Sequence, residues 1–384
     1  MNGAWWTTIE QMDEDQRAFV NLDPDGRHLL VGPPGSGKTN LLIMRARYMY
    51  GTGLKNILVL TFTRSLQDFI QMGVKGKKNL DEKQIMTFAR WARGHIGTYA
   101  PGAMATFDKT ASFEDQTKQI VELLEMANER VGGKNLYDAI LVDEVQDLNI
   151  DQVKILCQLS ERITVAGDTK QTVYESGDTI KEIEALGFKK TELKYHYRIG
   201  TAIADIADKA LQPANDADRL RTNCNYPEAE QRSKADLLEF ASREDQFAAM
   251  FKSIELQLRS YPGEGIGVIV PKTAMADELR RRFDETSHAS QVAYHNDDAP
   301  EHSFQSGKPI HVIVLKSAKG TEFRAVHIFG LEELQFPQHR RELLFTAVTR
   351  AKTALTGYYT GKVIGSVASA FAKPQTPPAL ADLL

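Results

Sequence analysis

Cysteine is nearly absent from this chain. Cys157 and Cys224 are the only two among 384 residues, and neither sits in a C-x-x-C pair. That excludes a disulfide framework or a structural zinc site as the organising device. Long apolar runs are missing too, and nothing approaches the length of a membrane span. The first residues, MNGAWWTTIE, lack the basic-then-apolar order of a secretory signal, so a reducing cytoplasm is the expected setting. No internal repeat occurs at solenoid periods. The net charge is only −4, so any site for a polyanion must be a local patch. What is present, 42% hydrophobic and 26% charged residues, is ordinary for a globular protein with room for two or three domains.

The strongest signal is GPPGSGKT: Gly32, Pro33, Pro34, Gly35, Ser36, Gly37, Lys38 and Thr39. This is the phosphate-binding pattern G-x-x-x-x-G-K-[ST], placed between an apolar stretch (28–31) and a helix-like run (41–50). Gly35 and Gly37 allow a tight turn that aims backbone N–H groups at phosphate oxygens. The helix N-terminus adds partial positive charge. Lys38 would reach the β- and γ-phosphates, and Thr39 would hold Mg²⁺.

Strand-like and helix-like runs alternate along the chain. Strands are expected at 28–31, 56–62, 139–142 and 163–166, with helices at 41–50, 66–71, 151–159 and 179–186. The second half repeats the habit, with strands at 236–240, 267–270, 312–316, 326–329 and 354–359. Its helices are expected at 202–211, 244–258, 274–283 and 340–349. Alternation of this kind predicts an α/β fold: parallel sheets with helices on both faces. The expected division is a first domain over 1–190, a second over 191–365 and a Pro-rich tail over 366–384. Residues 73–134 break the alternation and are expected to form a small, mostly helical insertion.

In ILVDEVQDLN (140–149) an apolar strand ends in two acids. At the C-terminal edge of a parallel sheet, Asp143 would face the same crevice as the phosphate loop. Asp143 would hold the metal, and Glu144 would orient or deprotonate an attacking water. Beyond the next strand, Gln171 is a neutral amide that would report the γ-phosphate; a solvent-facing role fits it as well. Arg198 and Arg350 stand in strongly patterned places of the second half. Arginines supplied from a facing surface would stabilise charge on the transferring phosphoryl group, although each alone also reads as a surface residue.

A basic, aromatic-bearing stretch carries Lys75, Lys77, Lys78, Phe88, Arg90, Trp91, Arg93 and His95. Cations track a nucleic-acid backbone while aromatic rings offer stacking faces. The same stretch fits a solvated loop followed by a helix with Trp91 in the core. The run Arg280, Arg281 and Arg282 reads as a solvated helix face.

Taken in order, GPPGSGKT, LTFTRS, LVDEVQD, VAGDTKQTVY, LKYHYR, LKSAKGTEF and TAVTRAK resemble the UvrD/Rep-like branch of superfamily 1 helicases, from about Gln16 to Tyr358. The resemblance implies two RecA-like domains and an ATP-dependent, single-stranded-DNA-stimulated helicase or translocase, moving 3′ to 5′. The alternative is a helicase-like ATPase that serves a partner such as a nuclease, with little unwinding of its own. The implied cofactors are ATP and Mg²⁺. The implied partners are single-stranded DNA or a tailed duplex, with a second protein or a second copy, and no membrane. Gln16 would read adenine, Tyr197 would stack on it and Glu322 would hold the ribose. Glu144 would be the base, Gln171 the sensor, and Arg198 and Arg350 the arginine fingers. Thr61, Phe62 and Thr63 match the segment that touches DNA, and Lys316 stands where relatives carry a His. Relatives also place a Trp near Ser176 and a basic residue at Asn40. The interval from Arg198 to Val312 is too short for the large second-domain insertion of long relatives.

Overall fold

The computed structural model describes residues 9–74, 80–131, 135–168, 179–296, 300–334 and 341–372. Gln171, Ser176, Lys75, Lys77, Lys78 and the end of the chain from residue 373 lie outside the described residues.

In the first half the order is α1 (Glu14–Val20), β1 (Arg27–Val31), α2 (Lys38–Gly51), β2 (Ile57–Thr61), α3 (Arg64–Val74), β3 (Ile85–Thr87), α4 (Phe88–Tyr99) and α5 (Phe113–Val131). It continues through β4 (Ala139–Val142), α6 (Ile150–Cys157), β5 (Ile163–Gly167), α7 (Thr179–Ala185) and β6 (Lys189–Glu192). These strands form a six-stranded sheet, β3-β2-β4-β5-β1-β6, with parallel pairings. Its inner strands β2 and β4 are apolar at successive positions because both faces are covered. Leu58, Leu60, Ile140 and Val142 pack into one core cluster, while the intervening Ile57, Val59, Ala139 and Leu141 pack into the other. That is the period-two alternation of a pleated strand buried on both sides.

The second half is built the same way. Its elements are α8 (Thr201–Leu211), β7 (Lys234–Phe240), α9 (Arg243–Ser260), β8 (Ile266–Val270), α10 (Thr273–Asp284) and β9 (Val292–Tyr294). Then come β10 (Ile310–Val314), β11 (Phe323–Ile328), α11 (Arg341–Val348), β12 (Ala351–Thr360) and α12 (Gly365–Phe371). The second sheet is also six-stranded and parallel, in the order β7-β12-β11-β8-β10-β9. The architecture is two RecA-like α/β sheets with flanking helices. Among the described residues, no helix is long and apolar enough to cross a membrane.

Three strands escape sequence periodicity. β3 and β9 are three residues long, too short to display alternation. β6 reads KKTE and lies mostly exposed at a sheet edge, so it carries no apolar pattern. Two expectations change with them. Within 73–134, β3 joins the first sheet, and Phe88, Trp91 and Leu124 share a core cluster with Leu58 and Ile140. Much of that segment is therefore integral to the sheet's core rather than a separate insertion. Lys316 was expected on a strand; it lies in a single 3₁₀ turn, Leu315–Ser317, just past β10.

Candidate functional site

The phosphate loop spans the gap between the end of β1 and the start of α2. Gly35 and Gly37 have φ of +80° and +87°, the left-handed region that glycine enters without steric cost. A Cβ on Gly35 would lie 3.2 Å from Arg198 Cβ and 3.3 Å from Ile199, so the second half of the chain closes directly over the loop. The Tyr197 N–H donates to the Gly35 carbonyl at 3.2 Å. Lys38 Nζ donates to the carbonyls of Gly32 (2.7 Å) and Pro33 (3.1 Å) and lies 3.9 Å from Asp168 Oδ2. Thr39 Oγ1 donates to Asp143 Oδ2 at 2.6 Å.

Order in the first sheet explains why distant residues meet. β5 lies between β1 and β4, so the loops after all three strands open at one C-terminal edge. Asp143 and Glu144 are both buried there. Glu144 has φ of +53°, uncommon for a residue with a side chain, and begins the 3₁₀ turn Val145–Asp147. Burial, followed by the neighbouring Glu144 charge, pushes the Asp143 carboxyl up to about 7. Burial also presses Glu144 upward, but Lys319, Lys38 and Arg350 together hold it below the ordinary glutamate value. The two acids thus divide: one ionised by surrounding cations, the other short of positive charge. An oxygen-rich pair of that kind, Asp143 with the Thr39 hydroxyl, fits Mg²⁺.

Two residues at this centre were not singled out from sequence. Gln146 Nε2 donates to Glu144 Oε2 at 2.5 Å, and its Oε1 accepts the Asp168 N–H at 3.1 Å. Lys319, buried at 4% exposure, reaches across from the second half to Asp147 (2.6 Å) and Glu144 Oε2 (3.8 Å). Burial pushes the Asp147 carboxyl up to about 6 although Lys319 opposes the shift. The available sequence signal for Lys319 is the LKSAKGTEF string, which also carries Lys316 and Glu322.

The remaining nucleotide-site residues converge from both halves. One cavity of about 530 Å³ is lined by Gln16, Pro34 to Thr39, Glu144, Tyr197, Arg198, Glu322 and Arg350. Gly32 and Pro33 are not among the lining residues; they serve through the carbonyls that hold Lys38. Gln16 completes a capping box with Asp13 at the start of α1 and donates to the Ser36 carbonyl at 3.0 Å. The Tyr197 hydroxyl donates to the Asp13 carboxylate. Arg198 forms an ion pair with Glu322, whose other oxygen lies 3.2 Å from Lys352 Nζ. Burial, then the charge of Arg350, pulls the Arg198 guanidinium down to about 9. Arg350 is buried and donates to the carbonyls of Thr346 (2.8 Å) and Thr321 (3.2 Å).

The residues expected at nucleic acid separate into two groups. Thr61 ends β2, Phe62 and Thr63 follow it, and Lys316 follows β10, all at the C-terminal end of a strand. Lys316 is exposed, Phe62 and Thr63 are half-buried, and Thr61 is buried with its hydroxyl donated to the Thr63 carbonyl at 3.1 Å. Trp91 is a correction. It is 3% exposed, its Nε1 donates to the Tyr137 hydroxyl at 3.1 Å, and its ring packs against Phe88 and His95. A base has no access to that ring, because α4 turns it into the core of the first sheet.

A family model described as an AAA domain matches residues 16–177. A second, described as the UvrD-like helicase C-terminal domain, matches residues 309–356. A probable DNA helicase of Mycoplasma pneumoniae is 22% identical over 90% of this chain and 83% of its own length. A solved PRRSV helicase structure is 17% identical with a TM-score of 0.41, covering 86% of this chain. The chain spans about half that structure's length, 52%. The first family model falls on the half with the phosphate loop and acidic pair, the second on the segment with Lys319, Glu322 and Arg350. With both on one chain in that order, this protein is similar to the UvrD-like branch of superfamily 1 helicases.

Proposed function

We propose that the chain hydrolyses ATP with Mg²⁺ in the cleft between its two sheets and uses the cycle to move 3′ to 5′ along single-stranded DNA. The observation that carries this reading is the shared cavity: Lys38, Thr39 and Glu144 from the first half face Arg198, Glu322 and Arg350 from the second. In that arrangement Lys38 and the loop N–H groups bind the phosphates, and Tyr197 and Gln16 flank the base. Thr39 and Asp143 are the residues that would hold Mg²⁺, which screens phosphate charge when bound. Glu144, kept ionised by its cationic neighbours, accepts a proton from the attacking water. Arg198 and Arg350 meet the charge that develops on the transferring group. Because they belong to the other half, hydrolysis is tied to closure of the cleft.

Phe62, Thr63 and Lys316 are the proposed contacts with single-stranded DNA, and with a single cation among them and a net charge of −4 that grip is weak. Unaided unwinding is expected to be inefficient, with a partner protein or second copy supplying the wedge. The test is steady-state ATPase with and without single-stranded DNA, followed by unwinding of a tailed duplex at low salt. DNA-stimulated hydrolysis is the expected result. Hydrolysis indifferent to DNA would favour an ATP-driven subunit that serves a partner such as a nuclease, and absence of hydrolysis would overturn both readings.

A further inference from the structure

Glu322 is shared between two cations. One carboxylate oxygen meets Arg198 Nη1, and the other lies 3.2 Å from Lys352 Nζ. The Glu322 and Lys352 side chains are only 11% and 12% exposed, so water does little to replace either partner. The Lys352 main chain is also involved. Its carbonyl accepts the Gly200 N–H at 2.8 Å, which fixes the segment that carries Arg198. β12 therefore anchors the arginine segment through its backbone and the glutamate through a side chain.

This arrangement poses a charge problem once a triphosphate enters. If Arg198 turns toward the phosphates, as the proposed function requires, Glu322 loses one of its two cations. A buried carboxylate left without a partner is strongly destabilising. We propose that Lys352 is a positioning residue that becomes the sole cation on Glu322 when the triphosphate draws Arg198 away. The two side chains suit that division. The planar guanidinium fork matches phosphate oxygens, whereas the ammonium is a compact point charge that stays with one carboxylate. The charged groups facing Lys352 include Arg198, Glu322, Glu264 and Arg324. Burial, then the charge of Arg198, pulls the Lys352 ammonium down to about 7. Withdrawal of Arg198 removes that second influence and strengthens the remaining pair. A diphosphate lacks the γ-phosphate that would attract Arg198, so Lys352 acts on the difference between ATP and ADP.

The inference rests on the proposed ATPase reading, and the experiment separates the two. Turnover at saturating single-stranded DNA is measured for the parent, Lys352→Met, Lys352→Gln, Lys352→Arg, Glu322→Gln, Glu322→Gln/Lys352→Met and Arg198→Ala. ATP and ADP affinities are measured by calorimetry in a Glu144→Gln background. Lys352→Met and Lys352→Gln should lower kcat about tenfold or more and weaken ATP much more than ADP. Lys352→Arg should restore most of the rate. In the Glu322→Gln background Lys352→Met should have no further effect, because the carboxylate that retains Arg198 is gone. Parental turnover in Lys352→Met, or an equal loss in the Glu322→Gln background, would overturn the positioning role while leaving the ATPase reading intact. Parental turnover in Arg198→Ala would instead remove the assignment of Arg198 on which the inference depends.

Discussion

Glu144 carries the electrostatics of the site. Its ionisation is maintained by Lys38 from its own half and by Lys319 and Arg350 from the other, against the cost of burial. That balance keeps it ionised and free to accept a proton, though as a weaker base than an ordinary glutamate, while the adjacent Asp143, pushed up to about 7, lacks the positive charge that a bound cation would supply. Glu144→Gln keeps the side chain's shape and removes the base. Turnover should fall roughly 10²- to 10⁴-fold, with ATP affinity retained in calorimetry. Arg350→Ala should lower kcat by roughly 10³ with little change in KM, because its charge matters most in the transition state. Parental rates in either variant would remove the corresponding role.

At the scale of elements, α1 brings Gln16 to the cavity and Arg45 of α2 holds α1's end in place. Arg45 is fully buried; it donates to the carbonyls of Leu22 (2.8 Å) and Asp23 (2.8 Å) and to Thr164 Oγ1 on β5 (3.0 Å). One guanidinium thus joins the chain after α1, helix α2 and strand β5. Burial pulls it down to about 10, still protonated at neutral pH. Arg45→Met would strip the Leu22 and Asp23 carbonyls and the buried Thr164 hydroxyl of their donor. We expect a loss of roughly 3 kcal/mol or more in urea unfolding, since hydrogen bonds to charged groups contribute about 1.5–3 kcal/mol each. An unchanged urea midpoint would show that α1 is held by its apolar contacts, chiefly Phe19 and Val20.

For the whole molecule, pH acts through buried groups of opposite sign. His196 is pulled down to about 4 and His295 and His327 to about 3, all chiefly by burial, and His311 falls well below its ordinary 6.5. They are folded as neutral rings: His327 sits between Tyr358 and Gln257, and His295 pairs with His311 at 3.0 Å. Below 6.5 the unfolded chain takes up protons that the folded chain refuses, so this stability is present at neutral pH and lost on acidification. Asp143 and Asp147 work the other way. Raised to about 7 and about 6, they favour the folded state at low pH and less as pH rises. The four histidines outweigh the two acids. At about 1.4 kcal/mol per pKa unit, the nucleotide-free protein should lose several kcal/mol between pH 7 and pH 5. Urea titrations across that range check the sign, and constant or rising stability would refute it.

What the sequence by itself determined was local. GPPGSGKT prescribes its own chemistry because the loop's ligands are its own consecutive backbone groups. The long central strands announced themselves because both faces are buried and their residues are uniformly apolar. The three-residue β3 and β9 are too short to show a pattern and β6 is mostly exposed and polar, so their places became clear only through pairing. The direction of Trp91 was undecided for a related reason: one aromatic on a mixed helix satisfies a core and a surface equally well until α4 is docked. The ion pairs between distant segments belong to tertiary structure altogether. Lys319 and Asp147 are 172 positions apart, and Arg198 and Glu322 are 124 apart. No spacing rule connects such residues. Lys319 and Asp147 meet because two separate sheets close on one another, and Arg198 and Glu322 because folding of the second half brings the segments ahead of α8 and β11 together, so both pairs join charges that local sequence pattern cannot relate.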